Sequence, residues 1–450
     1  MAGFQTLRSG VRGQRMSKAV IIGGGLSGLT AAYWASQAGL EVSLLEATHN
    51  LGGHNQTVKL EGWALELGDG YFDEQPSTLF TLCTELGLKP QPLPSLKRVV
   101  RSRGQDWVLP PGLNPATGYG LHRLVELPFG RRVKWRLGTE RLAPPALVKD
   151  EPLGAFFRRR LGPEVWEVLE PYLGVLLGGP AEEASTPEAF AALLQLERQG
   201  GLMVGSRRLK SEGRWHLAAG MGSLIQALAN HLQKARILTG QEALAVSRDA
   251  GRWQVHLRGG SLEADAVVVA LPAPRAAQVF RPTAPQMTTL LNQFPYQHSA
   301  RAYLLYRHPQ PDIEPAEYYW AQAEGYAGWA LRQTQLNPEL SLARVQFVGD
   351  VARSTDAELS RLAQLDTSRH LQTPIRPLAA WVFRQPRSRP QFTQGHTRRV
   401  EALERALVHA PGLFLTGGYL AGPGLAHQIQ HSHKTVQHML NFLALSAPQE

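Results

Sequence analysis

Lys18-Ala-Val-Ile-Ile-Gly-Gly-Gly-Leu-Ser-Gly-Leu-Thr-Ala-Ala32 joins a β-branched apolar run to a helix-forming run through a turn of glycines. Val20, Ile21 and Ile22 read as a buried parallel strand and Leu29 to Ala38 as a helix, which leaves Gly23, Gly25 and Gly28 in the turn. The first glycine permits the tight bend, the second lets a ligand approach the backbone, and the third lets the helix pack on the strand. Leu26 and Ser27, beside them, sit where helix N-terminal N–H groups face an anion. A second strand, Glu41-Val-Ser-Leu-Leu45, ends in Glu46, whose carboxylate can accept hydrogen bonds from a ribose diol. Strand, turn, helix, strand and acid agree on a dinucleotide pyrophosphate site in a parallel α/β sheet.

Working outward, Leu51-Gly52-Gly53-His54 follows the unit directly, and Leu65-Glu-Leu-Gly68 comes one short strand later. Much further along, His216-Leu-Ala-Ala-Gly-Met-Gly222 is a second glycine turn opening an amphipathic helix, followed by a β-meander that begins near Ile237 and contains Ala243. Ala264-Asp-Ala-Val-Val-Val-Ala-Leu-Pro272 is a third buried strand. Near the end, Leu413-Phe-Leu-Thr416 reads as a strand, Gly417 and Gly418 as a backbone passage, and Gly424-Leu425 as the start of a helix running to about Ala444. Between these pieces lie a helical stretch, about Thr117 to Arg208, and an alternating, strand-rich one, about Pro274 to Ala379.

This order of motifs resembles the flavin amine oxidase superfamily, in which a second glycine loop passes the FAD pyrophosphate. One branch fits best. Phe157-Arg-Arg-Arg-Leu-Gly162, a helix leading to Gly178-Gly179, Glu182-Glu-Ala-Ser-Thr-Pro187, and the closing Pro390-to-Leu425 segment look like the protoporphyrinogen and coproporphyrinogen oxidase group. The resemblance implies a Rossmann-like FAD-binding domain assembled from residues 17–95, 209–273 and 381–450. It also implies an inserted helical domain at 96–208 and an inserted α+β substrate domain at 274–380, after a tail at 1–16. The cofactor residues it carries over are Gly23, Gly25, Leu26, Ser27, Gly28, Glu46, Gly52, Gly53, His54, Ala243, Gly417, Gly418, Gly424 and Leu425.

The implied reaction is the FAD-dependent oxidation of a porphyrinogen, protoporphyrinogen IX or coproporphyrinogen III, to the porphyrin in haem biosynthesis. Hydride passes to flavin N5, and dioxygen or another acceptor restores the flavin. Because the cofactor carries this chemistry, an arginine for the substrate propionates is sought rather than a catalytic base. Arg98 stands at the family's spacing before the Leu109-Pro110 turn, with Arg101 and Arg103 as substitutes in the same hairpin. The chain departs from the branch at His427-Gln-Ile429, where Asp-Cys-Ile is common, and at Gly418, where Asn is usual. A carotenoid desaturase or amine oxidase on the same fold, and a non-catalytic flavoprotein, remain the alternatives.

Composition narrows the classes further. With 450 residues, 43% hydrophobic and 19% charged, the chain reads as globular rather than disordered. Its one cysteine, Cys83, excludes a disulfide framework and is read as a space-filling helix residue. A net charge of +10 is scattered in short groups such as Arg131-Arg-Val-Lys134, which suits an anionic substrate or an acidic membrane surface better than nucleic acid. The expected location is cytoplasmic, with peripheral membrane contact and no spanning helix. Residues 1–15 read as a misassigned start or a disordered tail. His396 is read as structural, and His427, His431, His433 and His438 lack the spacing and partners of a metal site, so no metal is expected. The sequence leaves the oligomeric state open.

Overall fold

The computed structural model describes residues 16–60, 62–73, 78–93, 96–146, 148–210, 213–307, 316–322, 325–333, 339–422 and 424–446. The tail expected at the start, save Met16, lies outside the described residues.

At the centre is a five-stranded parallel sheet in the order Arg236–Leu238, Glu41–Leu45, Lys18–Ile22, Ala266–Val269, Leu413–Leu415. Lys18–Ile22 is its middle strand and is covered on both faces, which explains an apolar run with no polar alternation. Ala19 and Ile21 face a layer made by helices Leu26–Gln37, Gly222–Asn230 and Leu425–Ser446. Val20 and Ile22 face the other layer, built from the meander Ala245–Ala264 and helix Ala273–Phe280. The result is the expected Rossmann-like α/β arrangement, with strands drawn from widely separated parts of the chain. Cys83 is fully buried in helix Thr78–Glu85, and burial pushes its thiol up to about 11.

A second, seven-stranded sheet runs Ala379–Pro390, Tyr296–Arg307, Leu340–Gly349, Gly325–Gln333, Ala316–Gln322, Lys97–Ser102, Gln105–Leu109. Helix Asp356–His370 covers one face through Leu359 and Ala363. The hairpin Lys97–Leu109, grouped by sequence with the helical stretch, instead pairs in parallel with Ala316–Gln322. Strand Ala379–Pro390 likewise belongs to this sheet and runs across the boundary expected at 380. Both memberships rest on pairing between distant segments, which no local pattern encodes.

The helical stretch encloses its own core around Phe156, Phe157, Trp166 and Leu169, stapled by Arg159 to Glu151 and Glu197 and by Arg160 to Glu140. Its longest helix, Pro163–Leu177, lies against the seven-stranded sheet. Among the described residues, no helix is long and apolar enough to cross a membrane.

Candidate functional site

One cavity of about 1410 Å³ runs from the glycine turn of the parallel sheet to the space between the seven-stranded sheet and the helical stretch. Its nucleotide end is built mainly of backbone. Gly23 has φ 110°, and a Cβ there would lie 2.6 Å from the Ala270 carbonyl oxygen. At Gly28 a Cβ would lie 1.8 Å from the Gly23 carbonyl oxygen, so this glycine serves the packing of helix Leu26–Gln37 and does not itself line the cavity. Gly25 differs from both: a Cβ would meet nothing within 4 Å, and the residue lines the cavity. The protein itself therefore has room for a side chain at Gly25, and the space left there is where a ligand's phosphates can reach the helix N-terminus. Leu26 and Ser27 line the same surface.

Glu46 ties this end together. Its Oε2 accepts from the Gly24 N–H at 2.9 Å, and its Oε1 accepts from the Thr48 N–H and hydroxyl, both at 2.8 Å. Oε2 retains lone-pair capacity for a ribose hydroxyl, and the residue lines the cavity. Gly52 donates to the Gly24 carbonyl at 2.8 Å, and this holds Gly52, Gly53 and His54 at the wall. Burial, reinforced by the Arg389 charge and opposed by Asp69, pushes His54 down to about 4, so its imidazole is neutral at pH 7. Ala243, Gly417, Gly418, Gly424 and Leu425 complete this end, and helix Leu425–Ser446 presents its N-terminus to the cavity. The donor set and the open cradle fit a dinucleotide. Sequence reasoning missed Thr48, Gln241 and Leu271 on the same lining, because loop residues at strand ends carry no motif, and it missed Arg275 on helix Ala273–Phe280.

The far end has another character. Tyr172, Val175 and Leu176 from helix Pro163–Leu177, with Phe190 and Phe392, form an apolar wall. Opposite them, the seven-stranded sheet presents Arg301, Arg344 and Arg389. Arg301 donates to the Gly68 carbonyl, to the Glu66 carbonyl at 3.0 Å and to Asp69 Oδ1 at 3.2 Å. Arg389 donates to both Asp69 oxygens at 3.0 and 3.3 Å. Burial would raise the Asp69 carboxyl, but the Arg389 and Arg301 charges hold it far below the usual carboxylate range. None of these arginines was singled out from the sequence, where they carry no distinguishing pattern.

Arg98, the arginine the sequence favoured for substrate, points elsewhere. Its Nε donates to Glu317 Oε2 at 3.2 Å and its Nη1 to the Leu113 carbonyl at 2.6 Å, and it is absent from the cavity lining. Arg214 donates to both oxygens of the same carboxylate, at 3.0 and 3.3 Å. In the same hairpin Arg101 makes a two-pronged pair with Asp106, and Arg103 pairs with Glu167. His396 is buried between the rings of Phe294 and Phe392 and acts in packing. Of the terminal histidines, His427 lines the cavity, the His431 ring meets the Thr416 hydroxyl at 3.0 Å, and His433 packs on Trp34.

Comparison with known proteins agrees with this architecture. Residues 26–428 match the family described as flavin containing amine oxidoreductase. The chain is 25% identical to coproporphyrinogen III oxidase of Bacillus subtilis, over 94% of this chain and 98% of that one. It is 27% identical to protoporphyrinogen oxidase of Homo sapiens, over 90% and 94%. Among solved structures, an Exiguobacterium protein provisionally assigned as a protoporphyrinogen oxidase superposes with a TM-score of 0.82 at 24% identity, over 96% of this chain and 100% of that one, which shows a shared fold. A match over most of its length, together with a cradle shaped for a dinucleotide, makes the chain a member of the flavin containing amine oxidoreductase family, an oxidoreductase whose cofactor is FAD.

Proposed function

We propose that the protein oxidises a porphyrinogen, protoporphyrinogen IX or coproporphyrinogen III, to the corresponding porphyrin. The observation that carries this reading is the far end of the cavity, where an apolar wall faces a floor of three arginines and one carboxylate, Asp69. A reduced tetrapyrrole has a broad apolar body and an edge of carboxylates, and matches both surfaces. A cationic amine would meet a positive floor, and a neutral polyene would leave the guanidinium groups without a function. The similarity to two porphyrinogen oxidases over nearly the whole chain supports the same choice.

When bound, FAD supplies the acceptor for each two-electron oxidation, and dioxygen or another oxidant restores it. The protein's own part is to bind, orient and dry the substrate. Tyr172, Val175, Phe190 and Phe392 exclude water from one face of the macrocycle. Glu46 and the glycine turn hold the nucleotide, and the N-terminus of helix Leu425–Ser446 can stabilise negative charge at the cavity. Peripheral contact with an anionic membrane, on the cytoplasmic side, is part of the proposal. Helix Arg131–Gly138 exposes Trp135 (71%) beside Arg131, Arg132 and Lys134, and the nearby Leu142 is 74% exposed.

Porphyrin fluorescence tests the reading. A rise well above autoxidation, after either porphyrinogen is added to aerobic FAD-loaded protein, is the expected result, and the faster substrate names the step. No rise with either one, from protein with a full flavin spectrum, removes the porphyrinogen and leaves the polyene and amine substrates to be tried.

A further inference from the structure

We infer that Arg344 is the receptor for a substrate carboxylate. This inference rests on the porphyrinogen reading and assigns the anchoring to a residue other than Arg98. Two observations carry it, one about hydrogen bonds and one about charge.

Arg344 lies on strand Leu340–Gly349, opposite Tyr303 on the neighbouring strand, and lines the cavity. The carboxylates and the amide oxygen in its surroundings already serve other donors. Glu317 accepts from Arg98, Arg214 and the Tyr319 hydroxyl. Asp69 accepts from Arg301 and Arg389, and the Gln346 side-chain oxygen accepts from Arg301. Tyr303 donates its hydroxyl to the Glu66 carbonyl at 2.7 Å. Among the described residues Arg344 has no hydrogen bond or ion pair, although the guanidinium carries five donors. A partly buried cation without a partner is costly, and such a group persists where a ligand completes it.

The charge balance agrees. Arg98, Arg214, Arg301, Arg344 and Arg389 stand on or beside the cavity face of the sheet, against the carboxylates Glu317, Asp69 and Glu66. Glu317 and Asp69 each serve two guanidinium groups, and Glu66 is bonded to Thr57 and to the Met221 N–H. Negative charge is therefore short by more than one unit, and of the three arginines that line the cavity, Arg301, Arg344 and Arg389, Arg344 is the one whose guanidinium has no partner among the described residues. A guanidinium fork matches a carboxylate with two parallel hydrogen bonds, so the missing anion is well supplied by a propionate at the edge of the macrocycle.

The test compares the acid with its ester. FAD-loaded wild type and Arg344→Gln are assayed with whichever of the two porphyrinogens the wild type oxidises faster and with its full methyl ester, which has the same ring and no charge. Binding of the product porphyrin and of its ester is titrated alongside, by quenching of porphyrin fluorescence. The expected result is a KM for the acid raised about 10- to 100-fold in Arg344→Gln, with weaker porphyrin binding to match and the ester unaffected. Equal behaviour of variant and wild type towards the acid overturns the inference. Equal losses for acid and ester overturn it too, since they mark a structural role. Should Arg344→Gln fail to fold, Arg344→Lys carries the test. It keeps the charge and loses the fork, so a smaller loss confined to the acid supports the inference and a loss shared by acid and ester defeats it. Absence of turnover by wild type with protoporphyrinogen IX and with coproporphyrinogen III alike defeats the proposed function itself, a result distinct from turnover that ignores Arg344.

Discussion

Glu317 and Asp69 are each held by two arginines, yet only the Asp69 cluster opens on the cavity. Glu317, with a side chain only 6% exposed, is sealed between Arg98 and Arg214, and none of the three lines the cavity. Asp69 is 42% exposed and lines the cavity with Arg301 and Arg389. The ion-pair chemistry is the same in both places, and what differs is whether the pair faces solvent and ligand. A sealed clamp fixes the sheet to its neighbours, whereas an open one shapes the field a ligand meets. The contrast recurs with glycines, Gly28 sealed and Gly25 open, and with histidines, His396 sealed and His54 open.

The largest expected effect falls on the sealed clamp. Glu317→Gln leaves two buried guanidinium groups short of a counter-charge and is expected to cost about 3–5 kcal/mol, read from the urea midpoint of the FAD-loaded protein. Asp69→Asn is expected to cost about 1–2 kcal/mol, because Arg301 keeps its two carbonyls and Gln346. Equal losses would erase the distinction between the two clamps. In acid, burial would raise the Glu317 carboxyl, but Arg214 and Arg98 hold it below its ordinary value. Its contribution is thus complete above the unfolded value of about 4.3 and is lost as pH falls through the lower folded one.

Next in size come the glycines. Gly28→Ala forces the helix off the turn and should lower both the stability of the flavin-free protein and its flavin content. Gly25→Ala meets no protein atom, so flavin affinity should fall while the flavin-free melting temperature stays put. A parallel fall in both quantities for Gly25→Ala would show that the site is not open.

The histidines give a subtler pair. Burial pushes both His54 and His396 down to about 4, helped by Arg389 in the first and Arg399 in the second. Each contributes stability that is complete above the unfolded value of about 6.5 and is lost as pH falls towards 4. Histidine NMR titration should find the His54 value sensitive to cavity ligands and the His396 value indifferent to them. Two values that move together on loading would contradict the placement of His396 behind the wall. Smallest of all, Trp135→Ala should change stability by no more than about 0.5 kcal/mol while weakening retention on anionic vesicles. Undiminished retention would remove that helix from the proposed membrane face.

The cradle was legible because its contacts are made by backbone within short loops. Gly28 and Glu46 work on Gly23 and Gly24, neighbours that a strand–turn–helix–strand pattern brings together without any knowledge of the rest. The surroundings of Arg98 could not be read from the sequence because its partner, Glu317, lies 219 residues away on a strand whose pairing is invisible locally. The same limit hid Arg344, which looks like any other arginine until Glu317, Asp69 and Gln346 are seen to be occupied. Glycines announce geometry in one dimension, while charges acquire meaning only after the sheet has closed.

The order of strands in the parallel sheet has a consequence for biogenesis. Lys18–Ile22 can pair with Glu41–Leu45 early, but its other neighbour, Ala266–Val269, arrives more than two hundred residues later, and Leu413–Leu415 later still. A nascent chain emerging from the ribosome therefore displays the glycine turn long before the cradle can retain a nucleotide. The cavity wall is complete only once Gly417, Gly418, Gly424 and Leu425 have been synthesised and docked, so a bound yellow cofactor is expected to mark finished assembly. Chains interrupted before that point remain colourless, with apolar strand edges uncovered, and are the natural substrates of chaperones and proteases.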